Sequence, residues 1–161
     1  MERKMNENDF IVSKTDLKGK ITYCNRIFMD MAEYSEEELL GAPHNMIRHN
    51  DMPKAVFQLL WDRIQNKEEV FAYVINKTKN NNEYWVFANV TASLDVRGNI
   101  IGYYSVRRKP NPKAIEIIRP LYAQMLQAER SGGTAASLKI LTDLLEEKGM
   151  SYDELIIAIQ E

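Results

Sequence analysis

Residues 70–107, VFAYVINKTKNNNEYWVFANVTASLDVRGNIIGYYSVR, decide the fold. Side chains follow a period of two through Val70–Asn76, Tyr84–Leu94 and Asn99–Arg107, which is the period of a strand. Lys77–Glu83, rich in Asn and Lys, and Asp95–Gly98 carry turn chemistry, so the three strands fold back on one another. Upstream, Phe10–Asp16 and Lys20–Tyr23 flank Lys18-Gly19 and read as a hairpin of two shorter strands. The expected class is α+β: a five-stranded antiparallel sheet with helices on one face, followed by a C-terminal helical extension.

The helices lie between the two sets of strands. Asn25–Ala32 places Ile27, Phe28 and Met31 on one helical face. Ser35-Glu36-Glu37-Glu38 is a capping box opening a short helix, and Gly41 ends it. Pro53–Ile64 carries Val56, Leu59, Leu60 and Ile64 at helical spacing, with Pro53 suited to the first helical position. Joining them is Gly41–Phe57, GAPHNMIRHNDMPKAVF. It holds the chain's only two histidines, His44 and His49, beside Arg48, Asp51 and two asparagines. Polar groups this dense next to an apolar core mark a loop that grips something.

The chain has 161 residues and a formal net charge of −2, too balanced to call for nucleic acid or an anionic membrane surface. No apolar run reaches membrane-spanning length, and MERKMNENDF lacks the apolar core of a signal peptide. One cysteine, Cys24, makes neither an internal disulfide nor a zinc site. No metal cluster is expected, and the expected location is cytoplasmic. Pro110 and Pro112 mark a boundary, giving an N-terminal segment 1–9, a central domain 10–110 and an extension 111–161. In the extension Ile115, Ile118, Tyr122 and Met125 form a stripe that packs on the chain's own sheet more readily than on a second copy. Ser131-Gly132-Gly133 is a break, and Gly149 suits a helix C-cap. Ser151 with Glu154 is a second capping box. From Ser131 onward two lysines face six acids, a net of −4 that argues against DNA binding.

The motifs ITYCNRIFMDMAEYSEEELLG, PHNMIRHNDMPKAVF, NKTKNNNEYWVFANVT and GYYSVRRKP resemble the flavin-binding PAS domains of bacterial aerotaxis receptors. The resemblance spans roughly Phe10–Pro110. The layout also resembles the stand-alone energy-taxis proteins of epsilonproteobacteria, which work through a separate membrane-bound chemoreceptor. The resemblance implies a bound FAD whose redox state is sensed, a chemoreceptor-type partner that can hold the protein at a membrane, and a homodimer formed through helical flanks. It places Arg48, His49, Asp51 and Asn76 at the flavin. Where the family has a tryptophan ahead of that asparagine, this chain has Val70. Phe71 and Tyr73 are the candidates to replace that wall.

An isoalloxazine ring needs an apolar slot and a few amide groups. Asn76 and Asn89 offer donor and acceptor together, and a buried amide at the centre of an apolar strand such as Asn89 needs partners. Arg48 suits a pyrophosphate. Trp61 and Trp85 are read as core first and cofactor walls second. Cys24 lies at a strand end, away from where a light-sensing LOV domain carries its reactive thiol, so a flavin here answers to redox rather than forming a photoadduct. A non-enzymatic redox sensor is the leading reading. The alternatives are a haem-binding gas sensor, with His44 or His49 as axial ligand, and a cofactor-free interaction module.

Overall fold

In the computed structural model, which describes residues 1–161, the chain runs β1 (Glu2–Arg3), β2 (Phe10–Thr15), β3 (Ile21–Cys24), α1 (Arg26–Ala32), α2 (Glu36–Leu39), a 3-10 turn (His44–Ile47) and α3 (Lys54–Gln65). It continues through β4 (Val70–Lys77), β5 (Glu83–Leu94), β6 (Ile100–Arg108), α4 (Pro112–Lys148) and α5 (Tyr152–Gln160). Five strands form the expected antiparallel sheet, in the order β4-β5-β6-β2-β3. A sixth, β1, pairs parallel with the start of β5, Glu2 opposite Glu83 and Arg3 opposite Tyr84. Two residues are too short to show a period, so the sequence reads this strand as a plain N-terminal segment.

Local chemistry sets the element ends. Asn25 caps α1: its Oδ1 accepts from the N–H groups of Phe28 and Val12, and its Nδ2 donates to the Phe10 carbonyl, fixing α1 to β2. Ser35 with Glu38 and Ser151 with Glu154 both form the expected capping boxes. Gly102 is the one residue that fits where β6 crosses β2, because a Cβ there would lie 2.3 Å from the Thr15 carbonyl oxygen.

Register decides which side chains face which layer. Asn76 lies opposite Tyr84, Val74 opposite Val86 and Ala72 opposite Ala88; across β5, Ala88 meets Arg107 and Val90 meets Ser105. Side chains alternate along a strand, so all of these share one face. Helices α1, α2 and α3 cover that face. Phe71, Tyr73, Ile75, Trp85, Phe87 and Asn89 take the opposite face, where α4 and α5 pack. The extension thus completes the core: Ile115, Ile118, Tyr122 and Met125 are all buried among Tyr73, Trp85 and Phe87. Burying each such apolar side chain stabilises the fold by roughly 1.5–3 kcal/mol.

Tyrosine hydroxyls bind this second layer to the edge of β4 that has no strand partner. Tyr122 donates to the Tyr73 carbonyl at 2.7 Å and Tyr152 to the Phe71 carbonyl at 2.7 Å, while Tyr73 donates to the Ile156 carbonyl at 3.0 Å. Burial pushes all three phenols upward from their ordinary range, so they remain donors. Helix α4 runs through Pro120 and breaks at Gly133, whose φ of 74° and ψ of −169° are open only to glycine. Ahead of the break, Glu129 reaches the start of α3. Its carboxylate accepts from the N–H of Lys54 at 3.0 Å and of Ala55 at 3.2 Å, capping a helix whose own Pro53 supplies no side-chain cap.

Candidate ligand cavity

Between the sheet and α3 lies a cavity of about 470 Å³, a size typical of small-molecule sites. Its apolar wall comes from Val74, Ala88 and Val90 on the sheet, Leu60 and Ile64 on α3, and Ile47 of the 3-10 turn. Flat side chains come from Phe57, Trp61 and Tyr103, the last two with ring centroids 5.4 Å apart. Polar side chains join them from the loop, α3 and the sheet: Ser13, Thr15, His44, Asn45, Arg48, Gln58, Asn76, Ser105 and Arg107.

Of the expected site residues, Arg48, Asn76 and Trp61 line this cavity. Arg48 and Asn76 also meet through a backbone bridge that ties the loop to β4. The Arg48 guanidinium lies 3.9 Å from the Phe57 ring centroid, and partial burial lowers its pKa. Asn76 is 3% exposed and its Nδ2 has no partner. Trp61 is 44% exposed and stands at the rim.

His49 and Asp51 are not in the cavity wall. The Nδ1 of His49 accepts from the Asp51 N–H at 3.0 Å, and its Nε2 lies 2.9 Å from a Glu83 carboxylate oxygen. His49 therefore clasps the loop onto the start of β5. The ligand atoms of His49, Asp51 and Glu83 lie within 4.8 Å of one another, but both imidazole nitrogens are already committed.

Asn89 and Trp85 must be corrected. Both lie on the sheet face that turns away from the cavity. Asn89 pairs with Phe71, out of phase with Asn76, and its amide reaches Glu69 at 3.3 Å. Trp85 packs against Tyr122 of α4, the two rings tilted by 35° with centroids 5.9 Å apart. The same phase removes Phe71 and Tyr73 as replacements for the family tryptophan. Val70 itself is buried on the cavity side of the sheet. Cys24 is buried and free, and it too is outside the cavity wall.

Arg107 and Ser13, which sequence reasoning passed over, make the polar floor together with His44. Arg107 is 3% exposed and donates through Nη2 to the Ser13 Oγ at 2.6 Å; its Nη1 lies 3.3 Å from His44 Nε2. Ser13 Oγ lies 3.0 Å from the same His44 nitrogen. Enclosure and the neighbouring Arg107 push His44 down to about 3, so the imidazole is neutral and Nε2 accepts. Burial lowers Arg107 to about 10, still cationic at neutral pH. Beside them Tyr84, fully buried and raised by burial to about 12, keeps a hydroxyl with no partner, as does the Arg107 Nε. The one sequence signal for this floor is the alternation Tyr103, Ser105, Arg107 along β6.

A curled sheet with a loop-and-helix lid over a single-sided cavity defines an α+β ligand-pocket domain. The PAS fold model matches residues 1–108, and the chain belongs to that family. The aerotaxis receptor of Escherichia coli (strain K12) is 38% identical over 139 residues, which covers 86% of this chain and 26% of that receptor. The nitrogen fixation regulatory protein of Klebsiella pneumoniae is 25% identical over 97 residues, 60% of this chain and 20% of that protein. The chain thus spans only about a quarter of the length of the first relative and a fifth of the second. Among solved structures, a light-oxygen-voltage domain studied with a flavin analogue superposes with a TM-score of 0.62 at 17% identity, covering 67% of this chain and 82% of its own. The dark structure of the Aureochrome1 LOV domain gives 0.59 at 22% identity, covering 74% and 86%. These likenesses show the fold.

Proposed function

We propose that this chain is a non-enzymatic redox sensor for aerotaxis or energy taxis that binds FAD in the sheet cavity and passes its redox state to a chemoreceptor-type signalling partner. The observation that carries the reading is a cavity of about 470 Å³ whose lining residues Asn76 and Arg107 keep buried donors, Nδ2 and Nε, with no protein partner. Unpaired buried donors are costly, so a ligand edge rich in carbonyls and ring nitrogens is what would satisfy them. The 38% identity to the aerotaxis receptor supports the same reading.

Bound flavin supplies electron storage. The chain's residues would do the rest: Val74, Val90 and Leu60 would hold the ring, Asn76 would offer an amide to its polar edge, and Arg48 on the loop would hold the phosphates. His44 is poorly placed for haem, because its Nε2 is already engaged by Ser13 and Arg107. No helix of the structure is long and apolar enough to cross a membrane, which fits a cytoplasmic sensor that reaches a membrane through its partner. Helices α4 and α5 are the segments through which a homodimer or that partner would be engaged.

An absorption spectrum of the purified protein, before and after dithionite, tests the reading, with mass spectrometry of the released chromophore separating FAD from FMN. Flavin bands that bleach on reduction are expected, and N76A should purify with less flavin. A protein without flavin bands refutes the proposal.

A further inference from the structure

Helix α3, which walls the cavity, is tied to the C-terminal extension at both ends. At its start, the Glu129 carboxylate of α4 accepts from the N–H groups of Lys54 and Ala55. In its last turn, Arg63 Nη1 donates to both carboxylate oxygens of Asp153 on α5, at 2.7 and 2.8 Å. The Arg63 guanidinium carbon also lies 5.5 Å from the Tyr152 ring centroid. Every hydrogen bond and ion pair that joins α3 to another helix or strand is one of these. Toward the sheet α3 has none. It presents Leu60, Trp61 and Ile64 to the cavity, and Trp61 meets Tyr103 ring against ring.

Apolar contact is non-directional, so it lets a helix slide or lift. Charge-assisted hydrogen bonds fix a geometry. Helix α3 therefore follows the extension rather than the sheet. The extension is itself held on β4 by the Tyr122 and Tyr152 hydroxyls, and forms a strap from the sheet edge across to the lid. Between its two ties the strap bends at Gly133. Lys54 and Arg63 are nine residues apart, about 14 Å along a helix axis, and both ties close only at the bend that gives this spacing. The Arg63–Asp153 tie is the one that opens more easily. The Asp153 side chain is 46% exposed, so water competes for it and screens the pair.

We propose that the α4–α5 extension is a latch on the cavity, and that opening of the Arg63–Asp153 pair is the step that lets the ligand leave. With the pair closed, α3 is seated over the cavity. With it open, the Trp61–Ile64 end lifts while the Glu129 cap holds the other end. The coupling is reciprocal: a bound ligand holds α5 down, and a partner that draws α5 aside loosens the ligand. The inference rests on the flavin reading for its ligand.

The test is the rate of flavin release from the flavin-loaded full chain, followed as free flavin appearing after dilution. R63Q and D153N should each release flavin about threefold faster than wild type. The double variant R63Q/D153N should be no faster than either single one, because the two residues form one tie. The charge swap R63D/D153R should recover most of the wild-type rate. S35A, which weakens the fold at the distant α2 cap, should release at the wild-type rate. Wild-type release from R63Q and D153N overturns the latch and leaves the flavin reading standing. So do single effects that multiply in the double variant, or an S35A rate as fast as that of D153N. If D153N fails to hold flavin at all, R63Q and the charge swap decide, and a wild-type rate in R63Q overturns the proposal. A wild type whose absorption spectrum shows no flavin removes both readings.

Discussion

Replacing Glu129 with alanine should loosen the lid from a distance. The Glu129 carboxylate supplies both hydrogen bonds at the α3 N-terminus, to Lys54 and Ala55, and Pro53 offers no alternative. Losing an N-cap costs about 0.5–2 kcal/mol. Removing a carboxylate from the positive end of a helix dipole adds about 0.3–1 kcal/mol. Part of the two overlaps, so E129A should destabilise the fold by about 1.5 kcal/mol. E129Q keeps an acceptor oxygen and loses the charge, and should cost about half as much. For a chain of this length the alanine variant should melt roughly 3–6 °C lower. Urea titration followed by circular dichroism measures the global cost. Amide exchange at Lys54 and Ala55 measures the local one and should rise in E129A before any rise in the sheet. An E129A protein with a wild-type midpoint and wild-type exchange at these amides would refute the reasoning, and would mean that α3 holds its first turn by packing alone.

Tyr122→Phe removes the donor to the buried Tyr73 carbonyl and should cost about 1–3 kcal/mol in urea unfolding; an unchanged midpoint would show that the carbonyl finds another partner. Gly102→Ala drives a Cβ into the Thr15 backbone oxygen, an overpacking that should cost about 1–3 kcal/mol or more and disturb the β2–β6 pairing; a midpoint at or above wild type would contradict the close approach. His44 gives a pH signature. Unfolded, it takes a proton near its ordinary 6.5; folded, it refuses one until about 3. The unfolded state therefore binds more protons in that window, and stability falls as pH drops below 6.5, by at most about 1.4 kcal/mol per unit from this group. H44N should lose that part of the slope, and equal slopes in the two proteins would remove His44 from the account.

Much of this structure is legible in the residues, for reasons that differ by element. Ser35 with Glu38 and Ser151 with Glu154 are local devices, complete within four residues, so the sequence alone specifies them. The three long strands announce themselves by period. Their facing does not. Strand β5 is buried on both sides, Tyr84, Val86 and Ala88 toward the cavity and Trp85 and Phe87 away from it, so alternation carries no polar face to say which set points inward. That ambiguity is why Asn89 and Trp85 read as site residues alongside Asn76. Arg107 escapes for a different reason. It stands in an Arg-Arg-Lys run near a strand end, which reads as solvent-facing charge; only pairing with Ile11 on one side and Ala88 on the other draws it inside.

The tyrosine hydroxyls on β4 also limit how the molecule can assemble. An edge strand with free carbonyls invites another chain to add a strand. Here the Phe71 and Tyr73 carbonyls are already taken by Tyr152 and Tyr122, and the Ile75 N–H is turned to the Met52 sulfur at 3.3 Å. At the far edge, Ile21 of β3 exchanges hydrogen bonds with Gly41 and Ala42. Strand-to-strand polymerisation is therefore blocked along most of β4 and at the head of β3. A second copy or a receptor has to dock face-on or through helices, and contacts of that kind can form and release without unravelling the sheet that carries the cavity.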